Sequence, residues 1–310
     1  MSTPTPANTA PAGPTPGPAG PTPHGATAAA SPVLELTGIV KSYGQVQALR
    51  GAALTVYPGE VVALVGDNGA GKSTTIKVIS GVIQPDAGEI RVDGRPVTIP
   101  DPIAARRLGI ETVYQDLALA PDLDPAENLF LGREIMRPGL LGKLGFLDRK
   151  AMRTKADEAF GSLGVGIQDT AAQVVTMSGG QRQGIAVGRA VNWADRVLLM
   201  DEPTAALGVV QTKRVGELIQ RVRASGVAVV LISHNLPFVF EYADRIEVLR
   251  LGQRVARLSG ATATSENVLG AMTGALTFED ASDPPVEPAA PAPPAPDTAA
   301  DGSDRSEDQS

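Results

Sequence analysis

The chain has 310 residues, no cysteine and a formal net charge of −7, so disulfides and thiol chemistry are excluded. Residues 279–310 hold nine acidic residues and one arginine, a net charge of −8, so residues 1–278 sum to −7 − (−8) = +1. A nucleic-acid-binding face needs a basic excess, and that part of the chain lacks one. No apolar run approaches the ~20 residues that span a bilayer, so any membrane role requires a partner.

Both ends of the chain are predicted to be disordered. Residues 1–32 contain nine prolines and no Asp, Glu, Lys or Arg, and the acidic stretch 279–310 contains seven prolines. Such segments bury too little apolar surface to offset the entropy lost on ordering. We therefore expect one folded unit at residues 33–278, between an N-terminal arm and an acidic tail.

Short apolar strands alternate with helical patterns inside that unit. Continuous apolar runs are typical of strands buried on both faces of a parallel sheet, and they occur at 61–66, 112–114, 196–200 and 227–233. Asp93-Gly94 indicates a tight hairpin turn, which predicts a small antiparallel portion near 88–99. Asp101-Pro102 and Asp124-Pro125 each predict a helix start. The expected fold class is α/β, with a mostly parallel core sheet.

A glycine-rich loop follows the first of these strands. GDNGAGKST matches the phosphate-binding pattern G-x-x-x-x-G-K-[ST], which predicts a P-loop NTPase binding ATP and Mg²⁺. Its glycines let backbone N–H groups turn towards phosphate oxygens. Lys72 would contact the β- and γ-phosphates, and the Ser73 hydroxyl would ligate Mg²⁺. The predicted nucleotide-binding residues here are Gly66, Asn68, Gly69, Gly71, Lys72, Ser73 and Thr74.

Two adjacent carboxylates end another strand, in RVLLMDEPT. Neighbouring strand residues point in opposite directions, so Asp201 and Glu202 are expected to have different roles. Asp201 suits the Mg²⁺ shell. Glu202 suits a general base that activates water in line with the γ-phosphate. Both residues, with Lys72, are predicted to serve ATP hydrolysis.

MSGGQRQGIAVGRAV, at 177–191, resembles the signature and following helix of ATP-binding-cassette (ABC) ATPases. The resemblance extends over about 33–275 and includes KSYG, the P-loop, VYQD, the DE pair and ISHN, in the family's order. It implies an antiparallel β subdomain and, at about 116–177, a helical subdomain that carries the signature. The blocks YQDLALAPDLDPAENLFLGRE and GLLGKLGFLDR are most similar to importers of ribose, xylose or fructose.

The resemblance also implies roles for individual residues. Tyr43 would stack on adenine, and Gln115 would sense the γ-phosphate, help to bind Mg²⁺ and lie beside the permease groove. His234 would contact the γ-phosphate and support Glu202. The signature would bind ATP held by the opposite subunit, through Ser178, Gly179, Gly180 and Gln181. Gly208 departs from the family, since many members carry there an aspartate that couples the two sites.

The implied function is MgATP hydrolysis that drives monosaccharide uptake. The implied partners are a second nucleotide-binding subunit, most simply in a homodimer, integral membrane permease subunits and, indirectly, a sugar-binding protein, but no nucleic acid. The expected location is the cytoplasmic face of the cell membrane, through the permease. The alternative is a soluble ABC ATPase of translation or DNA repair, although those usually carry two cassettes or long coiled coils. An inactive scaffold is disfavoured, because every catalytic residue type is present.

Overall fold

A computed structural model of the chain describes residues 31–162, 167, 170–205 and 207–278. Residues 1–30 of the predicted arm and the predicted tail 279–310 lie outside this part of the chain. The strands are β1 to β10: Leu34–Tyr43, Val46–Val56, Val61–Val65, Ala87–Val92, Arg95–Val97, Ile110–Val113, Val197–Asp201, Ala228–Ile232, Arg245–Arg250 and Gln253–Ser259. The α-helices are α1 to α9: Lys72–Ile79, Pro102–Arg107, Pro125–Leu129, Leu140–Lys143, Arg149–Ser162, Gly179–Trp193, Val209–Ala224, Leu236–Tyr242 and Ser265–Thr273.

The larger sheet has the strand order β10-β9-β3-β8-β7-β6, and only the β9–β10 pair is antiparallel. All four apolar runs lie in its parallel strands, and every residue of β3 and β8 is buried. The prediction of a mostly parallel core sheet is confirmed. Helices α6 to α9 pack on one face of the sheet, while α1 and α2 pack on the other.

Parallel strands align their carboxyl ends at one edge of the sheet, and this topology builds the site. The P-loop follows β3, Asp201 ends β7 with Glu202 directly after it, and His234 follows β8. Gln115 follows β6, the edge strand beside β7. Residues far apart in sequence therefore meet at one edge.

The smaller sheet is antiparallel, with the order β2-β1-β4-β5. Its β4–β5 turn has Asp93 at φ 50° and Gly94 at φ 72°, the left-handed pair that a two-residue hairpin requires, so the predicted turn is confirmed. The sheet is larger than the sequence prediction of 88–99, because β1 and β2 also belong to it. Their pairing is interrupted by register shifts, which blur the alternation that would otherwise indicate strands.

Helices α3, α5 and α6 share a small core of their own, formed by Ala126, Leu129, Phe130, Met152, Ala156, Phe160, Val174 and Ile185. Asp124 accepts a hydrogen bond from the Glu127 N–H at 2.7 Å and caps α3, as predicted. The signature starts α6, so a helical subdomain that carries it is part of the fold. The bounds 116–177 stay a prediction. No helix in the described parts of the chain is long and apolar enough to cross a membrane.

Candidate functional site

The P-loop is held tightly between β3 and α1. Gly66 and Gly71 have φ values of 152° and 106°, and a Cβ on Gly66 would lie 2.3 Å from the Leu249 carbonyl oxygen. Only glycine fits both the conformation and the space. Lys72 Nζ donates to the carbonyl oxygens of Gly66 at 2.7 Å and Asp67 at 2.9 Å. The Lys72 side chain is thus folded back over the loop that is predicted from the sequence to bind phosphate.

The remaining predicted P-loop residues lie at the start of α1 or in the exposed turn before it. Asn68 and Gly69 are exposed, and Thr74 is half-buried in the first turn of α1. The helix has no side-chain cap, since Gly71 occupies its N-cap position. Its first N–H groups are therefore not bound by a capping side chain, which is the arrangement that suits an anion.

Asp201 lies beside the P-loop and accepts a side-chain hydrogen bond from Ser73. Burial raises the pKa of the Asp201 carboxyl, and the charge of Glu202 raises it further, whereas Ser73 and Lys72 act in the opposite direction. Its Oδ1 is buried without a hydrogen-bond partner among the described residues. A hydroxyl next to a carboxylate with a free oxygen is a donor set that fits Mg²⁺, a cation bound through oxygen ligands.

Glu202 has a left-handed backbone conformation, with φ 53°. Such a conformation is strained for a residue with a side chain, and strained residues cluster at functional sites. The Glu202 N–H donates to the Ile232 carbonyl at 3.0 Å, which ties the end of β7 to β8. Strain maintained by neighbouring strands fixes the direction of the Glu202 side chain.

His234 Nδ1 lies 2.8 Å from Glu202 Oε2, although the contact lacks the alignment of a hydrogen bond. The Glu202 side chain is 14% exposed and that of His234 is 77% exposed. Burial lowers the pKa of Lys72, and the charges of Glu202, Asp67 and Asp201 oppose this shift. The structure therefore brings the lysine, both carboxylates and the histidine into one electrostatic group.

Gln115 is exposed at the end of β6 and begins a turn that contains two left-handed residues, Leu117 at φ 61° and Ala118 at φ 45°. Arg189, on α6, donates to the carbonyl oxygens of Ala118 at 2.8 Å and Leu117 at 3.2 Å. The sequence analysis did not single out Arg189, since nothing local distinguishes it from other helix arginines. It links the signature helix to the turn after Gln115.

The signature residues make local contacts. Ser178 caps α6 and forms a capping box with Gln181, with N···O distances of 3.3 Å and 3.0 Å. Ser178 and Gly179 are exposed, while Gly180 and Gln181 are half-buried. No hydrogen bond between described residues links 178–181 to the P-loop. The structure of one chain therefore does not bring the signature into the P-loop site.

Two further predicted positions lie at the edges of the site. Tyr43 is 47% exposed at the end of β1, so its ring is accessible to a planar ligand. Gly208 is the N-cap residue of α7 and provides no side-chain hydrogen bond to it. An aspartate there would be a strong helix cap, which glycine is not.

Comparisons with known proteins agree on a family. The family model for "ABC transporter" matches residues 49–205. The chain is 51% identical to the fructose import ATP-binding protein FrcA of Rhizobium meliloti, over 84% of this chain and 98% of that one. It is 44% identical to the xylose/arabinose import ATP-binding protein XylG of Sulfolobus acidocaldarius, over 78% and 94% of the two chains.

A longer relative and a solved structure extend this result. The ribose import ATP-binding protein RbsA 2 of Burkholderia pseudomallei is 43% identical over 78% of this chain, which spans only 47% of that relative. A crystal structure of a nucleotide-free ATP-binding cassette from an ABC transporter covers 78% of this chain and 95% of its own, with a TM-score of 0.63 and 26% identity. The chain therefore belongs to the ABC transporter family, as one of its ATP-hydrolysing ATP-binding subunits.

Proposed function

We propose that the chain is the ATPase subunit of a monosaccharide importer, working at the cytoplasmic face of the membrane with a separate permease and, indirectly, a sugar-binding protein. The observation that carries this proposal is the strained, half-buried Glu202 between Lys72 and His234, at the edge of the sheet that carries the P-loop. The names of the relatives, which are import proteins for fructose, ribose and xylose/arabinose, support a monosaccharide.

The P-loop side of the site binds the nucleotide. The backbone N–H groups of residues 66–74 enclose the phosphates, and Lys72 exchanges its two carbonyl contacts for phosphate oxygens. Tyr43 stacks on the base with its exposed ring. Ser73, Gln115 and Asp201 would hold Mg²⁺, which would neutralise part of the phosphate charge. A cation would also supply a partner for the unpaired Asp201 Oδ1.

Glu202 acts on the attacking water. Its carboxylate accepts a proton from the water as the water oxygen attacks the γ-phosphorus, and ADP leaves in line. His234, beside Glu202 Oε2, keeps that carboxylate oriented and reaches the γ-phosphate with its exposed ring. The left-handed backbone of Glu202 fixes the direction from which the base approaches.

The second half of the site comes from another copy of the chain. The capped start of α6 presents the Ser178 hydroxyl and the N–H groups of two glycines, an arrangement suited to an anion. Because Ser178 and Gly179 are exposed, Gly180 is only half-buried and all three are bound only locally, these groups are accessible to a nucleotide held by the partner. A head-to-tail homodimer would thus enclose two ATP molecules.

The test compares ATP hydrolysis by the purified chain with hydrolysis after reconstitution with its permease and sugar-loaded binding protein. We expect a slow basal rate that rises at least about tenfold on reconstitution, a factor within the range that typical coupling free energies between two sites produce. The matched control omits the sugar. A rate indifferent to permease and sugar would favour the soluble ABC class instead.

A further inference from the structure

A short projection from the helical subdomain is not used by the proposed chemistry. Residues 136–147, here called the finger, begin and end at the isolated bridge between Met136 and Leu147, with α4 at the tip. Backbone hydrogen bonds close it, from the Arg137 N–H to the Phe146 carbonyl at 2.9 Å and from the Phe146 N–H to the Leu141 carbonyl at 3.1 Å. The finger is therefore a hydrogen-bonded unit with a defined shape.

The finger exposes an unusual amount of apolar surface. Five of the seventeen exposed large hydrophobic side chains in the described parts of the chain lie in these twelve residues: Met136, Leu140, Leu141, Leu144 and Phe146. Leu140 is 73% exposed and Leu144 is 65% exposed, and α4 contains no buried residue. Scattered apolar residues on a surface need no explanation, but a contiguous patch indicates a binding surface.

The charged side chains within the finger have one sign. The finger contains Arg137 and Lys143 and no acidic residue, and Lys150 follows at the start of α5. None of these three basic side chains has an ion-pair partner among the described residues, and all three are exposed. The acidic residues next to the finger in sequence, Glu134 and Asp148, lie at its base, where Glu134 accepts a hydrogen bond from the Gly132 N–H and Asp148 caps α5. The finger itself, including its apolar tip, carries only positive charge.

We propose that the finger inserts its leucines and Phe146 into the interface of an anionic lipid bilayer, with Arg137, Lys143 and Lys150 at the phosphate headgroups. Leucine and aromatic side chains flanked by Lys and Arg are the composition of interfacial membrane segments. Each basic residue near an anionic surface adds to the attraction. A protein partner fits less well, because lysine is depleted at the centres of protein interfaces.

The finger's shape suits this role. A Cβ on Gly142 would lie 2.0 Å from the Arg137 carbonyl oxygen, so glycine allows α4 to fold closely onto the strand-like base. A side-chain set that is already positioned loses little conformational entropy on insertion. The inference rests on the proposed function only in that the subunit works at a membrane. It predicts a direct lipid contact in addition to the permease, and so departs from the sequence-based expectation that any membrane role requires a partner.

The first experiment measures co-sedimentation of the full chain with vesicles, without permease. We expect at least about tenfold more binding to phosphatidylglycerol-containing vesicles than to pure phosphatidylcholine, and weaker binding as salt rises. The triple variant Leu140→Ser, Leu144→Ser and Phe146→Ser should lose this binding and keep the basal ATPase rate. The matched control, Ile103→Ser with Leu269→Ser, removes exposed apolar side chains from α2 and α9 and should bind like the unaltered chain.

A second measurement detects insertion directly. Phe146→Trp should give tryptophan emission that shifts to the blue and is quenched by brominated lipids, whereas Ile103→Trp should not respond. The sole natural tryptophan, Trp193, packs on Phe130 and Arg133 and provides the constant background.

The outcomes separate this proposal from the proposed function. Equal binding to both vesicle types, or an unquenched Trp at 146, overturns the lipid assignment while leaving ATP hydrolysis and its coupling untouched. If the triple variant instead fails only to assemble with the permease in detergent, the finger docks a protein and the lipid proposal is wrong. If the unaltered chain binds lipid but its ATPase rate does not respond to the permease and the sugar-loaded binding protein, only the proposed function is contradicted.

Discussion

Arg189 joins two parts of the molecule, because its guanidinium donates a hydrogen bond to the Ala118 carbonyl oxygen at 2.8 Å. Arg189 lies on the signature helix α6, and Ala118 lies in the left-handed turn that begins at Gln115. The guanidinium therefore holds the turn after Gln115 against α6. Burial lowers the pKa of Arg189, and the positive charge of Arg106 adds to this effect.

Replacing Arg189 by alanine should lower kcat for ATP hydrolysis about tenfold while KM for ATP changes little. Two charge-assisted hydrogen bonds, each worth about 1.5–3 kcal/mol, would no longer hold the turn beside Gln115. Arg189→Lys keeps the positive charge but lacks the two guanidinium nitrogens that donate to the two carbonyl oxygens, so it should give an intermediate kcat. The control is Arg214→Ala, which removes an exposed arginine from α7 and should behave like the unaltered chain.

The double variant with Gln115→Ala separates positioning from general stability. If Arg189 acts through the turn, Gln115→Ala with Arg189→Ala should be no slower than Gln115→Ala alone, since the two effects are then not additive. Additive losses, or an unchanged kcat in Arg189→Ala, would show that Arg189 has only a structural role. Unfolding midpoints of all variants accompany the kinetics.

Glu202→Gln should reduce ATP turnover by about 10²–10⁴-fold, because an amide cannot accept the proton. ATP still binds, so this variant should form an ATP-dependent dimer on a sizing column while the unaltered chain stays mostly monomeric. Adding Ser178→Arg should abolish that dimer and leave ATP binding largely intact. Lys72→Ala, by contrast, should weaken ATP binding itself. Near-normal ATP turnover in Glu202→Gln would show that Glu202 is not the general base.

Asp201→Asn should stabilise the nucleotide-free protein at neutral pH while abolishing MgATP hydrolysis. Burial raises the pKa of Asp201 in the folded protein above its ordinary value of 3.8. At a pH between 3.8 and the raised pKa, the folded state therefore retains a proton that the unfolded state has lost. The free energy of unfolding therefore decreases as the pH rises through this window, and the loss is complete above the raised pKa. Asparagine does not titrate, so the Asp201→Asn variant does not lose this stability as the pH rises.

Urea unfolding at several pH values measures this effect. The gain in stability for Asp201→Asn should be largest at pH 7 and should shrink as the pH falls towards 3.8. Asp122→Asn, which removes the charge of an exposed carboxylate, is the matched control. A variant that is less stable than the unaltered chain at pH 7 would mean that the contacts with Ser73 and Lys72 outweigh burial.

Gly216→Ala should destabilise the protein by about 1–3 kcal/mol, the usual cost of overpacking. A Cβ on Gly216, in α7, would lie 2.1 Å from Tyr242 Cζ, and residue Tyr242 is only 9% exposed, so its side chain has little room to move. Gly161→Ala in α5 is the matched control, because nothing lies within 4 Å of its Cβ position. That change should instead stabilise by about 0.5–1 kcal/mol. Equal effects of the two changes on urea unfolding would contradict the packing argument.

Features encoded in consecutive residues could be predicted from the sequence. The buried strands, the Asp93-Gly94 turn and the Asp124 cap depend on local patterns of hydrophobicity, conformation and hydrogen bonding. The P-loop is also local, since its chemistry lies in nine successive residues. The strand-end position of the acidic pair follows from the same local pattern, because the apolar run that precedes it predicts the strand.

Relationships between distant residues were decided only by the tertiary structure. The approach of His234 to Glu202 depends on β7 and β8 being neighbours in a parallel sheet. Likewise, β1 joins β4 in the antiparallel sheet through pairs separated by about fifty residues, which no local pattern indicates. Arg189 acquires its role only because α6 packs beside β6. Each of these contacts depends on long-range packing, in which hydrophobic burial brings together segments that are far apart in sequence.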